Sequence, residues 1–411
     1  MTKQTDSKTN VENLSKMPNL RFPEFKEEWE KKNGNEIFKS ISDKNHTSEL
    51  PILAISQEYG AIPRDLIDYK ITVTDKSISS YKVVRKGNFI ISLRSFQGGI
   101  EYSEYHGICS PAYVILKSKI EISDYFFKYY LKTDRYILEL NKKLEGIRDG
   151  KMISYSYFSE IKLPYPSLVE QCKIADFLTL IDERIQCQRK IINQLDTAMR
   201  IIREKIFKQQ IKFRDKNGKH FPGWDMKTLG EIANIRSGLS KEQNSKSEGC
   251  KVTRIETISN GEINVNKVGF IDISDNIDEY KLRKGDILFS NINSVAHIGK
   301  TAIAFSDLDI YHGMNLLCIK SKSDVNPLFL FYYLNTIELR NYFKKICNQA
   351  VSQASINQSE LSNTRLSLPC FAEQNQIANF LTSLDVKIET EKQLFEQYKQ
   401  QKAYLLQNLF I

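Results

Sequence analysis

Gly299-Lys300-Thr301 has the residue types that end a loop for binding nucleotide phosphates. In such a loop, glycine-rich backbone cradles the phosphates, the lysine reaches them and the hydroxyl binds magnesium. The pattern requires a glycine five residues before Gly299, but Ser294 occupies that position. Because the segment lacks this backbone freedom, we do not expect it to wrap a triphosphate or to hydrolyse ATP.

Asn326-Pro327-Leu328-Phe329 resembles the Asn-Pro-Pro-Phe catalytic loop of adenine methyltransferases, with leucine in place of the second proline. No Phe-x-Gly-x-Gly cofactor loop occurs in the chain, and Ser110-Pro111-Ala112-Tyr113 departs from the catalytic pattern in a similar way. Pro327 also suits the first position of a helix. We therefore expect no methyltransferase site in this chain.

Metal binding is equally weakly supported. His106 and His312 each stand beside a glycine, without a partner at metal-ligand spacing, so we expect turn or core histidines and no metal. The cysteines are odd in number and form no C-x-x-C pair, which argues against a disulfide framework and a zinc ribbon and favours a reducing cytoplasm. They are Cys109, Cys172, Cys187, Cys250, Cys318, Cys347 and Cys370.

Length and charge set wider bounds. The 411 residues are enough for two or three domains with sizeable cores. No run approaches the ~18–20 apolar residues of a membrane span, and residues 1–17 are polar, which predicts a disordered tail rather than a signal peptide. A net charge of +9 permits nucleic-acid binding through phosphate neutralisation but does not require it.

The chain repeats itself at an offset of about 200 residues. Phe22-Pro23 and Trp29 correspond to Phe221-Pro222 and Trp224, and Lys86-Gly87-Asn88 corresponds to Lys284-Gly285-Asp286. Towards the end of each copy the offset settles at 203, as between Tyr129 and Tyr332 or Phe207 and Phe410. A repeat of this length predicts two domains rather than a solenoid.

Each copy has two parts. The first mixes short β-rich runs with helices, which predicts an α+β fold. The second is a long helix. The predicted segments are a tail at 1–17, a globular domain at 18–166, a central helix at 167–212, a second globular domain at 213–369 and a C-terminal helix at 370–411.

The long helices carry a narrow apolar stripe with steps of four and three residues, which is typical of a coiled coil. The alternative, a helix packed on its own domain, needs a wider apolar face. At 1.5 Å per residue the first helix would be roughly 60 Å long. The predicted interface residues are Ile174, Leu178, Ile181, Ile185, Ile192 and Leu195 in the first helix and Ile377, Leu381, Leu384, Ile388 and Phe395 in the second.

We expect the two helices to pair antiparallel, because the second globular domain returns the chain to the first helix. Gln188 and Glu391 interrupt the stripes at equivalent positions. In an antiparallel pair these residues could meet near a pseudo-twofold axis and set the register at some cost in stability. The alternative is two exposed polar residues where the helices separate.

These features together resemble the specificity subunit of type I restriction-modification systems. The helix of each copy begins through the same pattern of proline, Glu-Gln, Ile-Ala, Phe-Leu and aspartate. The first copy has Pro166, Glu170, Gln171, Ile174, Ala175, Phe177, Leu178 and Asp182, and the second has Pro369, Glu373, Gln374, Ile377, Ala378, Phe380, Leu381 and Asp385. The resemblance covers nearly everything after about residue 18.

The resemblance implies a non-catalytic, DNA-binding subunit. Each globular domain would read one half of a split, asymmetric target, and the helices would set the gap between the halves. The helices would also dock two methyltransferase (modification) subunits, with restriction subunits joining the complex. S-adenosylmethionine, ATP and magnesium would belong to those partners. The alternatives are a two-headed nucleic-acid adaptor, a coiled-coil scaffold, or a single-chain methyltransferase that carries its own recognition domain.

Arg, Asn, Gln, Lys, Ser and His on loops are the usual means of contacting bases and phosphates. The candidate DNA-binding residues of the first copy are Lys44, His46, Arg94, Ser95, Gln97, Arg148, Lys151, Ser154 and Tyr155. Those of the second are Arg236, Lys241, Asn293, His297, Lys300, Gln349, Ser352, Gln353 and Asn357. For each, the alternative is an ordinary solvated loop. Trp29 and Trp224 are expected to be core anchors rather than base-stacking residues.

Overall fold

The computed structural model describes residues 17–46, 49–67, 78–142, 153–243, 248–259, 261–272, 277–349 and 353–411. Contacts divide the chain into two units. The first unit is Met1–Arg189 with Gln393–Ile411, and the second is Lys190–Lys392. Each unit thus holds one α+β body and about half of each long helix. Grouping by contacts divides both long helices between the units. It therefore does not test the predicted domain bounds, which stay a prediction.

The first unit is built from short strands and short helices. Its strands are β1 (Glu30–Asn33), β2 (Phe38–Ile41), β3 (Leu53–Ser56), β4 (Gly60–Pro63), β5 (Lys82–Val84), β6 (Phe89–Ile91), β7 (Glu101–Tyr102), β8 (Gly107–Cys109), β9 (Val114–Ser118) and β10 (Lys162–Tyr165). Its helices are α1 (Gly34–Ile37), α2 (Ser95–Gly98), α3 (Asp124–Tyr130), α4 (Asp134–Asn141), α5 (Tyr155–Ser159) and the first part of α6 (Leu168–Phe207), with a 3₁₀ turn at Arg64–Leu66.

The second unit follows the same plan. Its strands are β11 (Asp225–Thr228), β12 (Ala233–Ser237), β13 (Cys250–Thr253), β14 (Ile258–Ser259), β15 (Glu262–Ile263), β16 (Val268–Ile271), β17 (Ile287–Phe289), β18 (Ile292–Asn293), β19 (Thr301–Ile303), β20 (Leu317–Ser321), β21 (Asn348–Gln349), β22 (Ala354–Ser355) and β23 (Arg365–Leu368). Its helices are α7 (Leu229–Ile232), α8 (Pro327–Leu334), α9 (Ile337–Ile346), α10 (Gln358–Ser362) and most of α11 (Phe371–Asn408), with 3₁₀ turns at Ile255–Thr257 and Asp278–Tyr280.

The central sheets of the two units have the same antiparallel topology. The strand order is β2-β9-β6-β7 in the first unit and β12-β20-β17-β19 in the second. In the register of the central strands, Ile90 lies opposite Ile115 and Leu288 opposite Cys318. The strand that enters each body pairs with the strand that leaves it, β1 with β10 and β11 with β23. The duplication seen in the sequence is therefore a duplication of fold.

The Lys-Gly-Asn/Asp segments form one turn that is made twice. Gly87 and Gly285 both have a φ of +90°, a backbone conformation that glycine adopts without a steric penalty. The Asn88 Oδ1 accepts a 2.8 Å hydrogen bond from the backbone N–H of Arg85, and the Asp286 Oδ2 accepts a 2.9 Å bond from that of Arg283. This turn delivers β6 and β17 into the centre of their sheets.

The long helices belong to the cores of the units. In the first unit Ile174 and Leu178 are buried in the same apolar cluster as Phe126, Phe127 and Leu409. In the second unit Ile377, Leu381 and Ile388 share a cluster with Phe329. The stripe residues at the start of each helix therefore pack on a globular body as well as forming a seam, so the two alternatives weighed from the sequence both hold.

Side-chain contacts in the first unit give the direction of pairing. Asp182 forms an ion pair of 2.5 Å with Lys402. Two residues later the Arg184 guanidinium lies 4.7 Å from the ring centroid of Tyr398, and the Arg189 guanidinium lies 5.6 Å from the Phe395 ring. Residue numbers rise along α6 as they fall along α11, so the segments are antiparallel. The predicted fold class is confirmed.

Among the described ranges, none of the helices combines the length and the apolar character needed to cross a bilayer.

Candidate nucleic-acid interface

The repeated glutamine at the start of each long helix joins three elements of its unit. The Gln171 Nε2 donates to the Pro166 carbonyl at 2.9 Å, and its Oε1 accepts from the backbone N–H of Ser123, the N-cap of α3, at 3.0 Å. Gln374 makes the same bonds, to the Pro369 carbonyl at 2.9 Å and from the N-cap residue of α8 at 2.9 Å. Both side chains are buried, so this motif fixes the helix to its globular body.

The repeated aspartate holds a tyrosine of the neighbouring helix. The Tyr129 hydroxyl donates to the Asp182 Oδ2 at 2.8 Å, and the Tyr332 hydroxyl donates to the Asp385 Oδ2 at 2.6 Å. Burial raises the pKa of Asp385 and of both tyrosines. These bonds are made in both copies, which indicates a shared framework rather than a reading surface.

The repeated glutamate has different partners in the two copies. Glu170 accepts two hydrogen bonds from the Arg21 guanidinium, at 2.7 and 2.8 Å. Glu373 instead accepts a 3.1 Å bond from the Trp224 Nε1, and burial raises its pKa. Trp29 is 3% exposed in its core and Trp224 packs against its own, so both tryptophans anchor cores as predicted.

The loop that contains α2 presents two of its three candidate residues. Arg94 and Gln97 are exposed. Ser95 is 1% exposed, and its Oγ accepts a 2.9 Å hydrogen bond from the backbone N–H of Ser92. Its side chain therefore closes the turn and cannot reach DNA from this position, which corrects the sequence-based choice of Ser95.

A residue that the sequence analysis missed extends this surface. Gln57 lies in the β3–β4 hairpin, and its exposed side chain donates a 3.0 Å hydrogen bond to the carbonyl of Arg94. A Cβ at Gly98 would come within 2.5 Å of the same side chain, so a larger residue at position 98 would displace Gln57. The polar turn between two β-rich runs was the available signal, but nothing local places it beside α2.

The remaining candidates of the first unit have mixed settings. Lys44 is exposed, and the His46 Nε2 lies 3.1 Å from the carbonyl of Tyr81. Ser154 caps α5 by accepting from the N–H of Tyr157 at 3.2 Å. The Tyr155 hydroxyl donates to the carbonyl of Phe38 at 3.0 Å, and its ring packs on the core, so it serves the fold. Arg148 and Lys151 lie outside the described residues.

In the second unit, a small sheet brings candidate residues together from distant parts of the sequence. Strand β22 lies between β18 and β21, with Ala354 opposite both Asn293 and Gln349. Side chains opposite one another share a face of a sheet, so the two amide side chains belong to one row. Gln353 is exposed directly before β22, and Ser352 lies outside the described residues.

The turn after β18 adds a histidine and a lysine. His297 is exposed, whereas Lys300 is half-buried and its pKa is lowered by burial and by the charge of Arg340. The Asn293 amide donates to the Ser290 Oγ at 3.1 Å, which holds it at the start of this turn. The turn therefore lies beside the small sheet and shares its polar character.

Three further candidates of the second unit have structural partners. The Asn357 Oδ1 accepts a 2.8 Å bond from the N–H of Glu360 and caps α10. Arg236 donates to the carbonyl of Glu279, and its guanidinium lies 5.6 Å from the Tyr280 ring centroid. Lys241 is half-buried. Asn357 and Arg236 thus support local structure, a role that residue type alone did not reveal.

The predicted helix-interface residues are mostly buried. In the first unit Ile174, Leu178 and Ile181 are buried, and Ile185 packs against the same cluster. In the second unit Ile377, Leu381 and Ile388 are buried, Leu195 and Leu384 pack against their cluster, and Ile192 is half-buried. Phe395, in the first unit, is half-buried.

The polar interruptions of the stripes are also largely withdrawn from solvent. Gln188 is 5% exposed, and the Glu391 side chain is 12% exposed and pairs with Lys387 at 2.5 Å. Gln188 belongs to the first unit and Glu391 to the second. The pairing of these two residues stays a prediction.

The histidines suit structural positions. His312 is fully buried, its Nε2 lies 2.8 Å from the carbonyl of Leu316, and burial lowers its pKa to about 4. His106 is exposed. In the part of the chain that the structure describes, no three His, Cys, Asp or Glu side chains are grouped so that they could hold a metal ion.

Comparison with known proteins identifies both copies. The family model of the type I restriction modification DNA specificity domain matches residues 22–197 and again residues 222–400. A Methanocaldococcus jannaschii protein provisionally named the type I restriction enzyme MjaX specificity subunit is 41% identical over 192 residues, which are 46% of this chain and 45% of that protein. The chain thus spans less than half the length of that relative.

Two further relatives match almost end to end. The type I restriction enzyme MjaVIII specificity subunit of the same organism is 27% identical over 96% of this chain and 94% of its own length. The crystal structure of the HsdS subunit from Thermoanaerobacter tengcongensis superposes with a TM-score of 0.53 at 18% identity, covering 97% of this chain and 98% of that one. At this identity the structural match shows a common fold.

Proposed function

We propose, since the chain belongs to the type I restriction-modification DNA specificity family, that it selects the DNA sequence for a type I restriction-modification enzyme. The observation that carries this function is the double family match, in which each match takes in one α+β body and most of the helix after it. A nucleic-acid adaptor or scaffold outside restriction-modification is not favoured, because the full-length relative is also named a specificity subunit.

Each unit reads one half of the target in this proposal. The bonds of Gln171, Gln374 and the Tyr–Asp pairs are made in both copies, whereas the polar loops differ. Because the two frameworks are equivalent, each reading surface has the same position relative to its helix. Because the loops differ, the two surfaces recognise different base sequences. The target is therefore asymmetric and bipartite, with unread bases between the halves.

The chemistry of the polar side chains at these surfaces indicates how each half is read. Asn and Gln side chains can pair bidentately with adenine, and Arg with guanine, in the major groove. In the second unit Asn293, Gln349 and Gln353 supply the amides, with His297 beside them. In the first unit Arg94 and Gln97 are available for bases, and Lys44 for a phosphate.

The subunit acts with DNA and with other subunits. We assign the chemistry to those partners: two modification subunits that use S-adenosylmethionine, and restriction subunits that use ATP and magnesium. This chain is non-catalytic in the proposal, which agrees with its lack of a complete nucleotide or methyltransferase motif. All seven cysteines are free thiols, which supports a reducing cytoplasmic setting.

Exchanging one globular body tests this function. Residues 18–166 would be replaced by the equivalent segment of another specificity subunit, and the methylated sites mapped in cells that also express the modification subunit. We expect one half-site to change while the other half-site and the gap stay the same. Exchange of residues 213–369 is the matched control and changes the other half. Loss of both halves at once, or no change in either, contradicts the proposal.

A further inference from the structure

The second unit contains a cleft of about 670 Å³ that is lined by three half-buried cations. Arg203 comes from α6, Lys300 from the turn before β19 and Arg340 from α9. Phe331 and Tyr332 of α8 supply apolar walls. A volume of this size is that of a small-ligand site rather than of a packing defect.

Acidic side chains line the cleft as well, namely Asp196, Glu262 and Glu389. Burial lowers the pKa of Arg203, and the charges of Glu204 and Asp385 oppose that effect. Within the described residues, none of the three cationic side chains forms a salt bridge or a hydrogen bond, and the Nε of Arg203 is buried without an acceptor. Asp385 also lines the cleft, but it accepts the Tyr332 hydroxyl and burial raises its pKa. Burial lowers the pKa of both Lys300 and Arg340. The charge of Arg340 lowers that of Lys300 further, and the charge of Arg203 does the same at Arg340, as expected for neighbouring cations.

The cluster is absent from the first copy of the repeat. At the 203-residue offset, Arg203 corresponds to Leu406 and Arg340 to Ile137. The matched registers of β7 on β6 and β19 on β17 make Gly99 the counterpart of Lys300. All three counterparts are uncharged, so the shared framework does not require these cations.

Cations in comparable places of the first unit are paired. Lys132, the counterpart of Asn335, forms an ion pair with Glu101. Lys402, the counterpart of Met199, forms one of 2.5 Å with Asp182. These two cations of the first unit are thus paired within that unit, whereas Arg203, Lys300 and Arg340 form no salt bridge among the described residues.

We propose that this cleft is a phosphate-binding site, in which Arg203, Lys300 and Arg340 together hold one phosphate group. Guanidinium groups match the geometry of phosphate oxygens, and neighbouring cations that form no ion pair attract an anion. The phosphate is supplied either by the DNA backbone or by a free nucleotide. The DNA source rests on the proposed function. Lys300 ends the turn that carries His297, and this turn lies beside the small sheet of β18, β22 and β21.

Thermal unfolding of the full chain with pyrophosphate tests the site without DNA. Against sodium chloride of equal ionic strength, pyrophosphate should raise the melting temperature of the second unit by about 2–4 °C. Arg340→Gln and Lys300→Gln should each remove this rise. Lys345→Gln is the matched control, because it removes an exposed charge from the same helix, and it should keep the rise.

The variants should fold, because each removes a repulsion and Lys300 lies in a turn. Their melting temperatures in chloride should equal or exceed that of the unmodified chain. An unmodified chain that responds no more to pyrophosphate than to chloride overturns the proposal. So does an equal response in all three variants.

The source of the phosphate follows from the salt dependence of binding to a random-sequence duplex. If the DNA backbone supplies it, the slope of log K against log salt should fall by about 0.9 in Lys300→Gln and Arg340→Gln. If the slope is unchanged while the pyrophosphate response is lost, the site takes a free phosphate ligand. If the unmodified chain binds no duplex, the proposed function fails, and the pyrophosphate result still decides the cleft.

Discussion

At the scale of single residues, one position of the repeat has opposite electrostatic settings in its two copies. Asp182 lies beside Lys402, which forms an ion pair with it at 2.5 Å. Asp385 occupies the equivalent position, has no ion pair among the described residues, and has its pKa raised by burial. The ionised aspartate thus stabilises the fold in the first copy and lowers the stability of the fold in the second. The sequence pattern does not show this difference.

Substitution of asparagine at these two positions should change the stability of the fold in opposite directions. Because the pKa of Asp385 is higher in the folded chain than in the unfolded chain, its ionised form lowers stability at neutral pH. Asp385→Asn should therefore raise the free energy of unfolding at pH 7, measured by urea denaturation. The gain should disappear as the pH falls below the pKa of an unfolded aspartate, where the carboxyl is protonated in both states.

Asp182→Asn is the matched comparison. It breaks a partly exposed ion pair and should cost up to about 1 kcal/mol at pH 7. If both variants change stability in the same direction at pH 7, the assigned settings are wrong.

At the scale of elements, tertiary pairing brings together the short polar segments of the proposed reading surface. Asn293 and Gln349 are far apart in sequence and become neighbours only because β22 pairs with both of their strands. The residue types that suit base contacts were visible in the sequence. Ser95, Tyr155 and Asn357 have similar types, but the fold uses their polar atoms for a turn, a core contact and a helix cap.

Truncation of the sheet amides should relax specificity at single base positions. Asn293→Ala or Gln349→Ala should weaken discrimination at one position of one half-site by about 1–3 kcal/mol. Site-by-site methylation mapping measures this change. Asn357→Ala is the control, because it should lower stability by about 1 kcal/mol through loss of the cap without changing the recognised bases. Unchanged discrimination in both sheet variants would remove this sheet from the interface.

At the scale of the whole molecule, both long helices contribute to both units. Each unit contains a segment of both helices, and in the first unit the two segments run antiparallel. The apolar stripe predicted this pairing from its spacing. The stripe also packs on the globular bodies, because the residues that begin each helix share a core with the neighbouring α3 or α8.

A change in helix length should change the gap and nothing else. Insertion of one helical turn into α6, within residues 174–206, should alter the number of unread bases in the methylated sites while both half-sites keep their sequence. Insertion of the same four residues into the exposed Asp215–Lys219 turn is the control and should leave the gap unaltered. If the gap stays constant after the helix insertion, the length of the helices does not set the spacing between the half-sites.

The order of residues along the chain was sufficient to determine the duplication, the α+β class and the paired helices. These features depend on periodicity and on matched turns, such as those at Gly87 and Gly285, which are local in sequence. Only the tertiary structure decided which polar side chains remain free. Gln57 reaches Arg94, and Arg203 reaches the cleft of Lys300 and Arg340, through contacts between residues distant in sequence. Burial and unbalanced charge arise from such contacts, and no local pattern encodes them.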